Sequence, residues 1–371
     1  MSTNTALIEK REELKRRLAA GEYKTLVDIF LAGTDRLIRK ITRRSKPLPI
    51  WWIPTILSAV LILINFASAY AAGISTAYGN FFGLLGSGYV VEITLRGVLA
   101  IVSPIALNQY INRIFVLWHD DMIDATESLA SLETFEDWLV KTSNWRLHLL
   151  VTIIVGFLGG LYVALIGARL GLFVGYGTML IFVIIGMFSS AFVYLLLMVV
   201  LLSARLRRYD LKLFASDPSS SELVSRLSSE LGLLVYIVAF YAAIVSLFVA
   251  WAGFLTSFIF LLVLVLWLPI ISMFLLNQTS LSSIIRRAKW KTLNEIQAKV
   301  EKLQAAKNFE DKETMEAINR LMDYHDRVKA THNSALDLNT TLHFINSLLL
   351  PLIAFILANF DVVLKLFGIR P

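Results

Sequence analysis

The chain has 371 residues, 57% of them apolar and only 17% charged, with a mean hydropathy of +0.67, against about 45–50% apolar and about 25% charged in a soluble domain. This composition describes an integral membrane protein and excludes the ordinary soluble and disordered classes. The formal charge is +7, and the absence of cysteine rules out disulfides, thiol nucleophiles and thiolate metal sites.

Residues 1–48 form the first predicted unit, a cytoplasmic amphipathic helical segment. Its first 46 residues carry twelve basic and six acidic side chains, and Leu26, Val27, Phe30, Leu37, Ile38 and Ile41 recur near helical spacing. Such a helix either lies on the inner leaflet, held to anionic lipid by its lysines and arginines, or packs on the protein's own cytoplasmic face. No cleavable signal peptide is expected ahead of the first apolar run.

Crossing a bilayer takes about 20 helical residues. Uncharged runs of that length predict spans at 51–72, 147–168, 178–204, 231–251, 255–276 and 342–360. Nothing between residues 231 and 285 is charged, which is too long for one span and suits two joined by a turn at Ala252 and Gly253. The segment 90–117 holds Glu92, Arg96, Asn108, Gln109, Asn112 and Arg113, and basic-residue placement decides its fate. Only if it crosses do "RKITRRSK", "RLRRYDLK" and "RRAKWK" share one side. Arg169, Lys365 and Arg370 then face the other side and Arg96 lies within a span, leaving 31 of the 35 basic residues with the N-terminus. The expected fold is therefore an all-α bundle of seven transmembrane helices in the cell membrane, N-terminus inside and C-terminus outside. Six spans fall within 51–276, and the seventh, with a short outer tail, within 339–371.

Between the second and third spans, "HDDMIDATESLASLETFEDWL" places seven acidic and no basic residues; it either docks on the basic clusters or stays a solvated loop. "DPSSSELVSRLSSELG" reads as a helix start, with Pro218 in the first turn and Ser219 to Glu222 spaced as a capping box. Residues 277–338 are expected to form a cytoplasmic helical hairpin. Leu293, Ile296, Val300 and Leu303 repeat at 3-4-3 spacing, as do Met315, Ile318, Met322 and His325 beyond "AAKNFED". Each run is too short for an independent coiled coil.

Gly156, Gly160, Ala164 and Ala168 recur every four residues in the third span, a stripe that lets another helix approach closely. In the second span Gly97, Ile101, Pro104, Asn108 and Asn112 fall near one face, and two amides one turn apart are costly against lipid tails. Glu92 and Arg96 can pair, and Arg113 can snorkel. His343, Asn346 and Ser347 cluster where the seventh span begins, with Ala354 and Ala358 continuing a small-residue face past Pro351. Asn108, Asn112, His343, Asn346 and Ser347 are the candidate lining of a pore or cavity; interhelical hydrogen bonding is the alternative. Histidine is the side chain whose ordinary charge change falls near neutral pH, so His343 suits a gate or a plain hydrogen-bonding role.

"DDMID" (Asp120, Asp121, Asp124) resembles the aspartate-rich motif of polyprenyl transferases, whose carboxylates hold magnesium against a diphosphate. That chemistry requires a second cluster, and Asp323 with Asp326 has the wrong spacing. There is no phosphate loop, HExxH or serine nucleophile elbow, so no catalytic residue, metal or cofactor is expected. The basic residues sit at membrane edges rather than among stacking aromatics, and no nucleic-acid partner is expected.

The order of elements, seven spans with an inside N-terminus, cytoplasmic helices between the last two and a short outer tail, resembles that of insect odorant and gustatory receptors. Thr341 is followed by Leu342 where that family's TYxxxxxQF signature has tyrosine. The resemblance implies an oligomer whose seventh helices, here 342–360, line a cation pore, with residues 286–329 as the anchor between subunits. Three functions follow as expectations. The first is an oligomeric ion channel or channel-like sensor. The others are a non-conducting scaffold recruiting a cytoplasmic protein, and a magnesium-dependent membrane prenyltransferase. The expected partners are the lipid bilayer, further copies of the chain and a cytoplasmic protein.

Overall fold

A computed structural model describes residues 3–71, 88–169, 176–251, 257–306 and 312–333, together with Ile353 and Ile356. Among the described residues the fold is all-helical, with a single isolated antiparallel bridge between Thr126 and Leu211. Five helices are long and apolar enough to cross a membrane, and Trp52–Ser68 is a shorter apolar one. These six overlap the first six expected spans, the sixth over 267–276. Of the seventh, 342–360, all but Ile353 and Ile356 lies outside the described residues.

Two N-terminal helices come first, α1 (Thr3–Ala19) and α2 (Leu26–Thr42). Thr25 caps α2, accepting from the Asp28 N–H, while Asp28 reaches back to the Thr25 N–H. This reciprocal box answers two of the orphan donors at the helix start. The chain leaves α2 through Arg43, whose φ of 53° breaks the helix. Val27 and Leu31 are buried against the protein, whereas Leu37 and Ile41 further along are exposed.

The bundle proper comprises α3 (Trp52–Ala71), α4 (Gly88–Leu117), α6 (Trp145–Val151) running through a π-helical turn (Thr152–Phe157) into α7 (Leu158–Arg169), α8 (Tyr176–Leu206), α9 (Glu222–Trp251) and α10 (Ser257–Ala306). The acidic segment is not a loop: another π-helical turn (Trp118–Met122) extends α4, and α5 (Leu129–Thr142) follows. The core runs along α4, α8 and α9, where Ile101, Ile105, Leu107, Ile111, Leu195, Val199, Leu234 and Ala239 are buried.

The start of α9 differs from the sequence reading. Asp217 accepts from the Ser219 N–H at 3.1 Å and from its hydroxyl at 2.6 Å, which holds Pro218–Ser220 in a 3-10 turn. With the Ser219 hydroxyl so engaged, the helix begins at Glu222, and the expected capping box does not form.

No structural boundary separates the sixth span from the stalk beyond it. α10 is one helix of 50 residues, about 75 Å at 1.5 Å per residue. Against its far end packs α11 (Lys312–Ala330), with Ile296, Val300 and Ile318 at the centre and Leu303, Leu321 and Tyr324 around them. The buried face of α11 is Thr314, Ile318 and Val328, while Met315 and Met322 are exposed. The hydrophobic repeat read from the sequence therefore lies partly off the contact. Lys289 closes the base of this hairpin. Its buried ammonium donates to the Lys329 carbonyl at 2.8 Å, the Thr331 carbonyl at 2.7 Å and Asn333 Oδ1 at 2.9 Å, capping the C-terminal end of α11.

Where α7 and its preceding turn cross α8, backbones touch. A Cβ on Gly156 would lie 2.6 Å from Met187 Cα, one on Gly160 2.8 Å from Val183 Cα, and one on Gly186 2.5 Å from the Gly156 carbonyl. Ala164 is fully buried, and the side chain of Ala168 lies outside the described residues. Gly159 meets nothing within 4 Å. Gly160→Leu is thus expected to lower the thermal unfolding midpoint in detergent by the equivalent of about 1–3 kcal/mol or more, as overpacking does. Gly159→Leu leaves it within about 0.5 kcal/mol, and equal effects of the two substitutions would contradict this packing.

Candidate functional site

The polar residues of α4 lie toward one end of the bundle, and α2 meets them there. Asn108 is fully buried. Its Oδ1 accepts from Thr25 Oγ1 at 2.5 Å and its Nδ2 donates to Asp28 Oδ1 at 2.6 Å. Asn112 donates to the same Asp28 oxygen at 3.2 Å. The second Asp28 oxygen takes the Thr25 N–H at 3.0 Å, so one carboxylate both caps α2 and binds two amides of α4. In an apolar interior each unanswered amide would cost about 1–3 kcal/mol, which explains why α2 starts at this height.

Two clefts flank Asn112. One, of about 560 Å³, runs between α2 and α4 past Tyr23, Lys24, Asp28 and Arg36. The other, of about 700 Å³, lies between α4 and α9 and is lined by Gln109, Arg113, Asp120, Asp121, Arg226 and Glu230 among others. Arg113 donates to Glu230 Oε1 at 2.8 Å and Arg226 to Asp121 at 2.7 Å. Gln109 Nε2 and Glu230 Oε2 are buried with no partner among the described residues. On the other side of α2 a wholly apolar cavity of about 260 Å³ is lined by Phe30, Pro104, Ile105 and Phe188 among others.

The acidic segment is docked rather than solvated. Glu136 binds Lys10 at 2.6 Å and Arg17 at 2.5 Å, Asp124 binds Lys15 at 2.6 Å, Asp137 binds Arg205 at 2.8 Å, and Glu127 pairs with Lys291. Arg287 adds a 3.0 Å pair with Asp210. Basic residues of α1, of "RLRRYDLK" and of "RRAKWK" thus meet at one end of the bundle. Exposed pairs of this kind contribute only about 0–1 kcal/mol each. What fixes the segment is the aromatic stack beneath it, with Trp118 on Phe135 at 3.6 Å, Tyr209 edge-on to Trp118 at 5.2 Å, and Trp138 donating to the Met198 carbonyl at 2.7 Å. Burial pushes the Tyr209 phenol well above its ordinary value. Lys291 is raised by its hydrogen bond to Glu127.

The carboxylates of "DDMID" diverge. Asp120 lies 2.7 Å from His119 Nδ1, Asp121 holds Arg226, and Asp124 holds Lys15 across from α1. Among the described residues no group of three His, Asp or Glu side chains is placed to hold a metal ion. The side chain of Glu92, and with it the expected Glu92–Arg96 pair, lies outside the described residues, as do His343, Asn346 and Ser347. Sequence reasoning passed over Thr25, Asp28, Glu230 and Lys289. "TLVD" at Thr25–Asp28 carries the spacing of a capping box, the one local signal that pointed to this site.

The fold and its apolar helices, five of them long enough to cross a bilayer, describe a membrane-embedded helical protein. No protein-family model, curated protein or solved structure matches the chain.

Asp28→Ala removes the acceptor of both amides, and a loss of about 1–3 kcal/mol in detergent unfolding is expected. In a double-mutant cycle with Asn108→Leu the two losses fall short of additivity by about 0.5–3 kcal/mol; strict additivity would show that they do not interact. Asp137 is held below the usual carboxylate range by hydrogen bonds from Lys141 and Arg205. A carboxyl depressed in the folded state contributes stability above its unfolded value and loses it as pH falls through the folded one. The protection of α5 amides, taken relative to their intrinsic exchange rate at each pH, is therefore expected to fall on acidification toward that range, and the effect of Arg205→Gln on it to vanish at the acid end.

Proposed function

We infer that the chain is a non-conducting multi-pass membrane protein of the binding and assembly kind, with its charged end in the cytoplasm. The observation that carries this is the closure of the α4 amide stripe by Thr25 and Asp28. Groups that would otherwise have suited a wet conduit are consumed in fixing the N-terminal helices to the bundle, and Asn108 is fully buried among apolar side chains of α4. The meeting of α1's basic residues with Arg205, Arg287 and Lys291 at one end supports the orientation, since lysine and arginine collect on the cytoplasmic side. Localisation to the cell membrane belongs to the same reading. The stalk formed by the end of α10 and by α11 carries exposed Met315 and Met322 and is the surface offered to a protein partner.

A second reading is favoured by the polar start of the segment 342–360. His343, Asn346 and Ser347 within a crossing helix suit an oligomeric channel along that segment, in line with the resemblance to insect odorant and gustatory receptors. Ion flux in liposomes separates the two. The first reading expects reconstituted protein to pass no more ions than empty vesicles. Flux abolished by Asn346→Leu with Ser347→Leu would establish the channel along 342–360 instead, and flux sensitive to Asn108→Leu would overturn the closed stripe as well.

A further inference from the structure

The two halves of α2 face different surroundings. In the first, Val27 and Leu31 are buried against the bundle. In the second, Leu37 and Ile41, one turn apart, are 59% and 72% exposed, and Arg36, Lys40 and Arg43 repeat at 4-3 spacing on the neighbouring strip. The stretch 36–46 holds six basic residues and no acidic one. Arg39 pairs with Asp35 at 2.9 Å. The other five, Arg36, Lys40, Arg43, Arg44 and Lys46, are exposed and in no ion pair among the described residues. In α1, by contrast, Lys10, Lys15 and Arg17 are all taken up by carboxylates.

The height of this stretch in the fold decides what covers it. α3 and α4 run antiparallel, with Asn65 donating to Thr94 Oγ1 at 2.9 Å and Leu61 lying against Gly97. Trp52, where α3 begins, is nine residues from Leu61, and Asn108 is eleven from Gly97, about 14 and 17 Å at the helical rise. The start of the apolar α3 therefore stands level with Asn108, which holds the start of α2. Further along α2, Asp35 accepts the Leu48 N–H at 3.0 Å, four residues short of α3. α2 thus runs along the level at which the chain enters the apolar region, not across it. Trp51 and Trp52, both about half exposed at that entry, are the residue type that gathers at a membrane–water boundary.

We propose that the second half of α2 and the turn into α3 form a surface for anionic phospholipid, laid in the leaflet at the charged end of the bundle. Leu37, Ile41, Trp51 and Trp52 enter the boundary between headgroups and acyl chains, and the five unpaired cations meet the phosphates around them. Recognition is by charge and not by headgroup shape, so phosphatidylglycerol and phosphatidylserine serve alike, whereas a zwitterionic lipid brings no net charge to the cations. A soluble polyanion would satisfy the cations but leave two aliphatic side chains and two indoles in water, which is the ground for choosing lipid. The two settings open to this helix from its sequence are then divided between its halves, and Asp28 ties the lipid-facing half to the bundle through Asn108. The inference rests on the chain being embedded in a membrane, and holds whether or not it conducts.

Because the chain has no cysteine, one introduced thiol carries a spin label at a chosen site. The full-length chain with Ile41→Cys is placed in nanodiscs of phosphatidylcholine, with or without phosphatidylglycerol. Contact of the label with oxygen, which concentrates among acyl chains, is compared with its contact with a water-soluble nickel chelate. Leu63→Cys, on the exposed side of α3, is the lipid reference, and Ala32→Cys, exposed one turn before Arg36, the water reference. In anionic discs the label at position 41 is expected on the lipid side. The ratio of immersed to aqueous label there falls about tenfold in neutral discs, the factor that one or two basic residues at a charged leaflet supply. It falls as far in anionic discs when Arg36, Lys40, Arg43, Arg44 and Lys46 are all replaced by glutamine, and phosphatidylserine in place of phosphatidylglycerol leaves it unchanged. The change of lipid needs no substitution beyond the label, so the test stands if the glutamine variant fails to fold. The proposal is overturned by a label at position 41 that stays aqueous in anionic discs, that is shielded from both reagents as on a protein surface, or that is equally immersed in neutral and anionic discs. An aqueous label at Leu63 would overturn the membrane reading and the proposal with it.

Discussion

A side-chain amide shut inside an apolar bundle is costly unless another polar group answers it, and the junction of α2 with α4 is arranged around that cost. Asn108 sits where no water reaches it, and its two polar atoms dictate that a hydroxyl and a carboxylate arrive beside it. Both come from the start of α2, where Thr25 and Asp28 are already bound into a cap. The cap is thus shared between two tasks: it ends the orphan donors of one helix and the buried amides of another. Because the pairing is directional, it sets the height and rotation of α2 against α4 more sharply than apolar contact alone would.

From that anchor the charged end follows. α1 lies against the acidic segment through Lys10, Lys15 and Arg17, and the same segment reaches Arg205, Arg226 and Lys291 on three further helices. Five of its carboxylates, Asp121, Asp124, Glu127, Glu136 and Asp137, stand between basic helices and reduce the mutual repulsion of those helices. The stacked rings of Trp118, Phe135 and Trp138 supply the dry contact that holds the carboxylates there. Energy comes mainly from the rings and register from the charges, a division set by the small worth of exposed ion pairs.

The helices of the membrane region were legible because their signal is composition over some twenty residues, which tertiary context rarely overturns. The polar α4 was expected on a different ground, the placement of basic residues in the sequence, and in the structure it is a continuous helix of 30 residues. The site was half legible. The cost of Asn108 and Asn112 in an apolar setting is written in the sequence, but their partners, Thr25 and Asp28, lie some eighty residues away, and nothing in the spacing of either segment names the other. "DDMID" misleads in the opposite sense: its aspartates share a motif, yet the π-helical turn and the surrounding basic residues point each at its own partner. The start of α9 failed on a local competition, Asp217 taking the hydroxyl that the expected cap needed. The hairpin register failed because two short repeats do not specify which of several neighbouring faces meet.

Lys289 has a mechanical meaning. One ammonium gripping three oxygens at the foot of α11 makes that point a fulcrum, and the stretch of α10 from Lys289 to Ala306 is a stiff arm above it, about 25 Å long at the helical rise. A sideways push at the far tip is delivered as torque to the turns of α10 where Asn277, Gln278 and Ser280 are buried. The arm and the bundle are a single uninterrupted helix, so no joint absorbs the load between them.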